Sequence, residues 1–258
     1  MQKISPAECA GLIRGAAAIV ALTGAGISTA AGIPDFRGPR GLYVTRRYDP
    51  EKVFEIGGFL NEPQDFYEFS RDFVATVRDV RPTFSHRFLA DLESAGKLAG
   101  IVTQNIDMLH QQAGSRRVVE LHGSYGSATC LDCGDRLRDL DYAWWQRAMQ
   151  ESPTPPVAYC RTCNGVLKPD IVFFGEMVNG FERAERMVRE CDLLLVLGSS
   201  LQVAPASLLP YGCDAMTVVV NRGKVDLAPA GHRFFADADL DGYFVRVAGC
   251  LEDLLGGS

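Results

Sequence analysis

Four groups of residues in this sequence have types and spacings suited to chemistry. The first is a histidine after a short apolar run, in Val119-Glu-Leu-His122-Gly123. An imidazole near neutral pH can take or give a proton, so His122 is the candidate general base. A lone histidine is more often structural than catalytic, so its case rests on its neighbours. The second group, Gln104-Asn105-Ile106-Asp107, offers amide and carboxylate partners to a flat polar group. The third is a glycine turn, Gly24-Ala25-Gly26-Ile27-Ser28, behind an apolar stretch and before small residues suited to opening a helix. Strand, glycine turn and helix start together make a phosphate cradle, in which backbone N–H groups and the helix dipole face an anion. Gly24, Gly26 and Gly32 lack the G-x-G-x-x-G spacing, so a tight structural turn is an equal reading.

The fourth group is Cys130-x-x-Cys133 with Cys160-x-x-Cys163, 26 residues lying between the pairs. Each pair puts two thiolates on one side of a knuckle, and two knuckles make a tetrahedral site for zinc. The gap is a little longer than usual. Four sulfurs close the coordination sphere, which makes the expected zinc structural and not catalytic.

Other segments look like supports. Gly32-Ile-Pro-Asp35-Phe36-Arg37-Gly38 reads as a loop whose Phe36 could cover a flat ring while Asp35 and Arg37 make polar contacts; a plain surface loop is the alternative. Two apolar runs end in Gly198-Ser199-Ser200 and Asn221-Arg222-Gly223, small and amide residues able to bond phosphate and ribose.

The elements that must hold these groups follow from pattern. Ser5-Pro6-Ala7-Glu8 is a capping box with proline at the first helical position, predicting a helix to about Arg14 or Gly15. Buried strands are expected at 18–23, 98–103, 118–121, 193–197 and 217–220, with strand character also over 170–176. Helices are expected at 65–79, 83–94 and 181–191. His86 and His110 fall on helices and are read as structural; Cys9, Cys191 and Cys213 look like core residues. Trp144 and Trp145 sit between the cysteine pairs and are expected to pack beneath them.

Strand and helix therefore alternate, with polar strand ends gathered along one edge. The expected fold is α/β: a Rossmann-like, mostly parallel sheet with helices on both faces. Residues 1–37, 81–123 and 171–258 form the large domain. Residues 38–80 (helical) and 124–170 (a zinc ribbon) form a smaller one. At 258 residues, 47% hydrophobic and 22% charged, the chain has ordinary globular composition. A net charge of -6 argues against nucleic-acid binding by bulk electrostatics. No export signal and no membrane span are expected, and cysteines paired for metal suggest a cytoplasmic protein.

Gly24-Ala-Gly-Ile-Ser28, Gly32-Ile-Pro-Asp-Phe-Arg-Gly38, Thr103-Gln-Asn-Ile-Asp107, Leu121-His-Gly123, the two cysteine pairs, Phe174-Gly-Glu176, Gly198-Ser-Ser200 and Asn221 together resemble the sirtuin family, in the family's order and over nearly the whole chain. The resemblance implies an NAD-consuming protein lysine deacylase with one structural zinc, its products nicotinamide, O-acyl-ADP-ribose and free lysine. It implies that His122 is the base acting on a ribose hydroxyl, and that Asn105 orders the ribose side. Asp107, with the backbone of Ile106, would hold the carboxamide. Gln104 and Arg37 would meet ribose or phosphate, and Gly24, Ala25, Gly26, Ser28, Asp35 and Phe36 would complete the NAD site. Gly198, Ser199, Ser200 and Asn221 would hold the adenosine half, with Cys250 near adenine. The acyl-lysine peptide would lie as an added strand between Phe174-Gly175-Glu176 and the segment around Val203, with Val172 and Phe173 lining the lysine channel.

Sirtuins specialised for succinyl or malonyl groups carry a Tyr and an Arg three apart. Here Tyr67 is followed three on by Ser70 and four on by Arg71, which favours acetyl or another uncharged group. A desuccinylase, a protein ADP-ribosyltransferase using the same site, a dehydrogenase and a non-catalytic sensor are the rival readings.

Overall fold

The computed structural model describes residues 1–34 and 48–255. Asp35, Phe36 and Arg37, and the expected boundary at 37/38, lie outside the described residues. In chain order the strands are β1 (Gln2–Lys3), β2 (Ile19–Thr23), β3 (Leu98–Thr103), β4 (Val118–Glu120), β5 (Gly123–Cys130), β6 (Arg136–Leu137), β7 (Leu167–Ile171), β8 (Leu193–Leu197), β9 (Met216–Asn221) and β10 (Arg233–Asp237). The helices are α1 (Pro6–Gly15), α2 (Pro50–Val53), α3 (Ile56–Asn61), α4 (Pro63–Val77), α5 (Phe84–Ser94), α6 (Leu109–Gln112), α7 (Tyr142–Gln150), α8 (Phe181–Glu190), α9 (Leu240–Gly249) and α10 (Glu252–Leu255).

Seven strands form one sheet in the order β1-β10-β9-β8-β2-β3-β4, and each pairing in it is parallel. β2 (Ile-Val-Ala-Leu-Thr) and β8 (Leu-Leu-Leu-Val-Leu) are buried at every residue, as strands covered on both faces must be. One face packs on α1, α5 and α9 through residues such as Ile13, Phe88 and Phe244; the other packs on α8 and its neighbours through Ala184, Val188 and Leu209. The capping box at Ser5 is formed on both sides: Glu8 N donates to Ser5 Oγ at 3.3 Å and Ser5 N to Glu8 Oε2 at 2.8 Å.

A second, three-stranded sheet, β6-β5-β7, is antiparallel. It shares a core with α2, α3, α4 and α7 that is largely aromatic. Rings run in contact from Phe173 to Phe66 (5.0 Å between centroids), Phe69 (6.2 Å), Phe73 (5.7 Å), Tyr125 (5.5 Å) and Trp145 (5.6 Å). Trp145 donates its indole N–H to the Tyr125 carbonyl at 2.7 Å.

Three local expectations change. β1 has no counterpart in the sequence pattern; two exposed residues carry no period, and only the edge of β10 gives them partners. The glycine turn opens a 3-10 helix, Ala25–Ala31, in which Thr29 Oγ1 bonds back to the Gly26 carbonyl at 3.0 Å. Strand character expected over 170–176 instead occupies 167–171, because Glu176 N donates to the Phe173 carbonyl at 3.0 Å and Gly175 takes φ +94°, which turns the chain.

Candidate active site

The strands end in register. Thr23 pairs with Thr103 on one side and Leu197 on the other, Leu197 pairs with Val220, and Thr103 with Glu120. Gly24, Gln104, Leu121, Gly198 and Asn221 therefore follow one another across a single edge. From β2 the chain moves outward through β3 and β4, then returns to β8 on the other side. That reversal opens a crevice at the carboxyl ends of β2 and β8, where open α/β sheets bind ligands.

The glycines close this crevice from below. A Cβ on Gly24 would sit 2.8 Å from the Gly198 carbonyl oxygen, one on Gly26 2.7 Å from Gly198 Cα, and one on Gly198 2.4 Å from Ile27 N. The two turns thus pack backbone on backbone, and Gly26 N donates to the Gly198 carbonyl at 2.8 Å. The structural reading of the glycine turn is the one seen here: the glycines serve a tight backbone contact, at the edge where the strands end.

Ser28, Asn105 and Asp107 meet above it. Ser28 Oγ donates to Asp107 Oδ2 at 2.6 Å and Leu109 N to Oδ1 at 3.0 Å. Asn105 Nδ2 donates to the Gly24 carbonyl at 3.2 Å and to Ser28 Oγ at 3.3 Å. Burial pushes the Asp107 carboxyl above its usual range, and these hydrogen bonds act against that. Among the described residues Asp107 has no cationic partner. A nearly buried carboxylate with lone pairs to spare suits an incoming N–H donor such as a carboxamide.

His122 stands half-buried at the end of β4. Its Nδ1 lies 2.9 Å from the Gln104 carbonyl oxygen, which can only accept, so Nδ1 carries the hydrogen and Nε2 keeps a lone pair. Burial lowers its pKa from the ordinary histidine value, and the bond to Gln104 partly offsets that. Val172 N donates to the His122 carbonyl at 2.8 Å, tying the base to the segment that follows β7. Gly123 has φ +68°, and a Cβ there would fall 1.9 Å from the Asp170 carbonyl oxygen.

The other expected residues are distributed unevenly. Gln104 Nε2 donates to Ser199 Oγ at 2.9 Å, linking β3 to β8 across the crevice. Ser200 accepts from Asp226 N at 2.9 Å through its carbonyl, and Asn221 Nδ2 donates to the Arg222 carbonyl at 2.9 Å. Ala25 is the first residue of the 3-10 helix, and Ile106 is buried. Phe173 is buried whereas Phe174 is 50% exposed. The Phe174 backbone is already paired: N to the Phe54 carbonyl at 2.7 Å, and its carbonyl from Ile56 N at 3.1 Å. Gly175 and Glu176 are exposed, Val172 and Val203 partly so.

Cys250 is not brought to this edge. It ends α9, and its carbonyl accepts from Arg14 Nη2 at 2.8 Å, beside the turn through which the chain enters β2. That is the edge where strands begin. Asp237 pairs with Asn221, so Ala238 and Asp239 are what β10 delivers at the site edge.

A support missed in the sequence lies under Asn105. His110 Nε2 is 2.9 Å from Thr23 Oγ1, Thr23 Oγ1 donates to Thr103 Oγ1 at 2.9 Å, and Thr103 Oγ1 accepts from Asn105 N at 3.1 Å. The threonines' place as the last residue of each strand was the available signal. His86 lies against His110, its ring 4.7 Å away, and burial pushes it down to about 4. Both histidines belong to the buried frame, as their helical positions suggested.

The four cysteines converge on the antiparallel module, their sulfurs all within 4.8 Å of one another. Zinc bonded to four sulfurs at about 2.3 Å spaces them roughly 3.8 Å apart. Cys130–Cys163 at 3.4 Å and Cys133–Cys160 at 3.9 Å bracket that spacing. Thr162 N and Gly165 N each point at a sulfur, Cys160 and Cys163, at 3.4 Å, as backbone does around thiolate knuckles. The donor set fits one structural zinc.

Comparison with known proteins agrees with this geometry. The Sir2 family profile matches residues 24–205. An NAD-dependent protein deacetylase 1 from Pyrobaculum aerophilum is 39% identical over 255 residues, covering 97% of this chain and 94% of that protein. A solved structure of Sir2 with a p53 peptide and NAD+ superposes with a TM-score of 0.83 at 33% identity, covering 99% of this chain and 100% of the other. A Sir2 structure bound to an acetylated peptide superposes at 0.82 with 32% identity, covering 99% and 100%.

Proposed function

This chain belongs to the Sir2 family, and from that premise we infer that it is an NAD-dependent protein deacylase, acting on acetyl-lysine in proteins or peptides. The observation that carries the active-site assignment is the His122 tautomer. With Nδ1 committed to the Gln104 carbonyl, Nε2 is an acceptor, and a pKa lowered by burial keeps the ring neutral at pH 7. NAD, when bound, supplies an electrophilic ribose carbon and nicotinamide as leaving group. His122 Nε2 takes the proton of a ribose hydroxyl. Asp107 and Ser28 receive the carboxamide, and the Thr23–Thr103–His110 frame fixes Asn105 where it orders the ribose. Gly198, Ser199 and Asn221 face the adenosine half from β8 and β9. The acyl-lysine peptide meets the chain at 173–176.

Two observations favour an uncharged acyl group. The Tyr67 hydroxyl is fully buried and donates to the Leu167 carbonyl. Arg71 turns outward, 57% exposed, to Asp72 at 3.1 Å. Neither is available to grip a carboxylate on the acyl chain. A cytoplasmic location belongs to the same reading, supported by four thiols arranged for a metal.

Product analysis by mass spectrometry tests the reaction. With NAD and an acetyl-lysine peptide, the expected products are nicotinamide, O-acetyl-ADP-ribose and free lysine, and a succinyl-lysine peptide should react at least about tenfold more slowly. ADP-ribose attached to protein in place of O-acetyl-ADP-ribose would make the chain a transferase.

A further inference from the structure

Lys168 lies on β7, and its side chain is only 12% exposed. An ammonium has three hydrogens to place, and burying it is costly unless they are used. Here they are used by the end of β7, where the Pro169 carbonyl also lies 3.4 Å from Nζ, and by the turn that follows it. Nζ is 2.9 Å from Glu176 Oε2, 2.9 Å from the Ile171 carbonyl oxygen and 4.6 Å from the centre of the Phe173 ring. The same Glu176 Oε2 accepts from Phe173 N at 2.8 Å. One carboxylate oxygen thus receives both an ammonium and the backbone of the turn it closes. A lysine serving only to staple β7 would have no need to reach the far side of this turn.

We propose that Lys168 is a positioning residue for the acyl-lysine substrate: through Glu176 and Phe173 it holds the turn 173–176 in the shape the peptide meets. The coupling extends to the base, since Val172 N is bonded to the His122 carbonyl. The inference rests on the reading that the peptide binds at 173–176.

The test compares K168M, K168R and E176Q with the wild-type chain. KM is measured separately for acetyl-lysine peptide and for NAD, and affinity for a fluorescent acetyl-peptide is measured by anisotropy without turnover. K168M is expected to raise the peptide KM and Kd about tenfold or more, to leave the NAD KM within about twofold, and to be largely rescued by K168R. A folded K168M with unchanged peptide KM overturns the proposal, as does an NAD KM rising in parallel. If K168M does not fold, E176Q breaks the same contact from the exposed side and should give the same selective loss. A wild-type chain that neither binds nor deacylates the peptide overturns the functional reading and this inference with it. A competent wild type matched by K168M overturns this inference alone.

Discussion

The parallel sheet and the antiparallel module are held together by different means. The sheet is aliphatic and continuous: β2 and β8 are buried at every position, and helices cover both faces. The module has strands of two, eight and five residues, and its interior is a run of rings beside four cysteines. A three-stranded sheet buries little by itself, so it depends on the aromatic core it shares with α2, α3, α4 and α7 and on the four-cysteine site. The residues with chemistry are divided accordingly. His122 and Asn105 stand at the ends of strands of the parallel sheet, Asp107 lies between Ile106 and Leu109, which pack into the module's core, and the segment assigned to the peptide leans on the module through Phe173, 5.0 Å from Phe66. In the proposed site the base thus stands at an edge of the parallel sheet, while the peptide segment and the carboxamide segment both rest on the module.

Metal removal should break this contrast open most widely. Both tryptophans of the chain, Trp144 and Trp145, lie on α7 inside the module. Chelation, or Cys163→Ser, should shift their emission to the red and lower activity by about 100-fold or more, while far-UV circular dichroism keeps the helices around the parallel sheet. Unmoved tryptophan emission in metal-free protein would show that the module stands without its staple.

His122→Ala should do the reverse. Turnover falls by about 100- to 10,000-fold, with tryptophan emission, dichroism and NAD affinity unchanged. Because burial lowers the His122 pKa, and a base works only above its pKa, the acid limb of wild-type kcat/KM should lie below 6.5. Near-normal turnover in the variant would remove the base assignment.

A smaller effect is expected from Gly26→Ala, which strains the sheet edge without touching the module. Its Cβ meets Gly198 backbone at 2.7 Å, where no flexible side chain can yield. The expected cost is about 1–3 kcal/mol of stability, with a raised KM for NAD and an unaltered KM for peptide, read from steady-state kinetics and thermal melts. A raised peptide KM would mean that the two regions share strain.

Much of this was legible along the chain, because some signals are local. A fully apolar run such as Leu193–Leu197 has to be buried, Ser5 and Glu8 cap one another three residues apart, and a Cys-x-x-Cys knuckle carries its own geometry. The sequence predicted the mostly parallel sheet, helices at 83–94 and 181–191 that the structure places at 84–94 and 181–190, the four-cysteine site, and the strand ends where polar residues gather. It missed what depends on a distant partner. β1 exists only because β10 lends it an edge. The Phe173–Glu176 turn replaces an expected strand because a glycine and a carboxylate close it. Cys250 follows α9 to the wrong edge of the sheet, a matter of helix direction that residue type does not encode.

By itself the sequence determined which side chains have the right chemistry and which segments must be inside, since both are properties of a residue and its near neighbours. Only the tertiary structure decided the proton on His122, fixed by a carbonyl 18 positions away. It alone showed that Asp107 is buried without a countercharge among the described residues and that Lys168 reaches Glu176. Protonation and burial are set by the field and the packing of groups brought together from remote parts of the chain, and no local pattern records who those neighbours are.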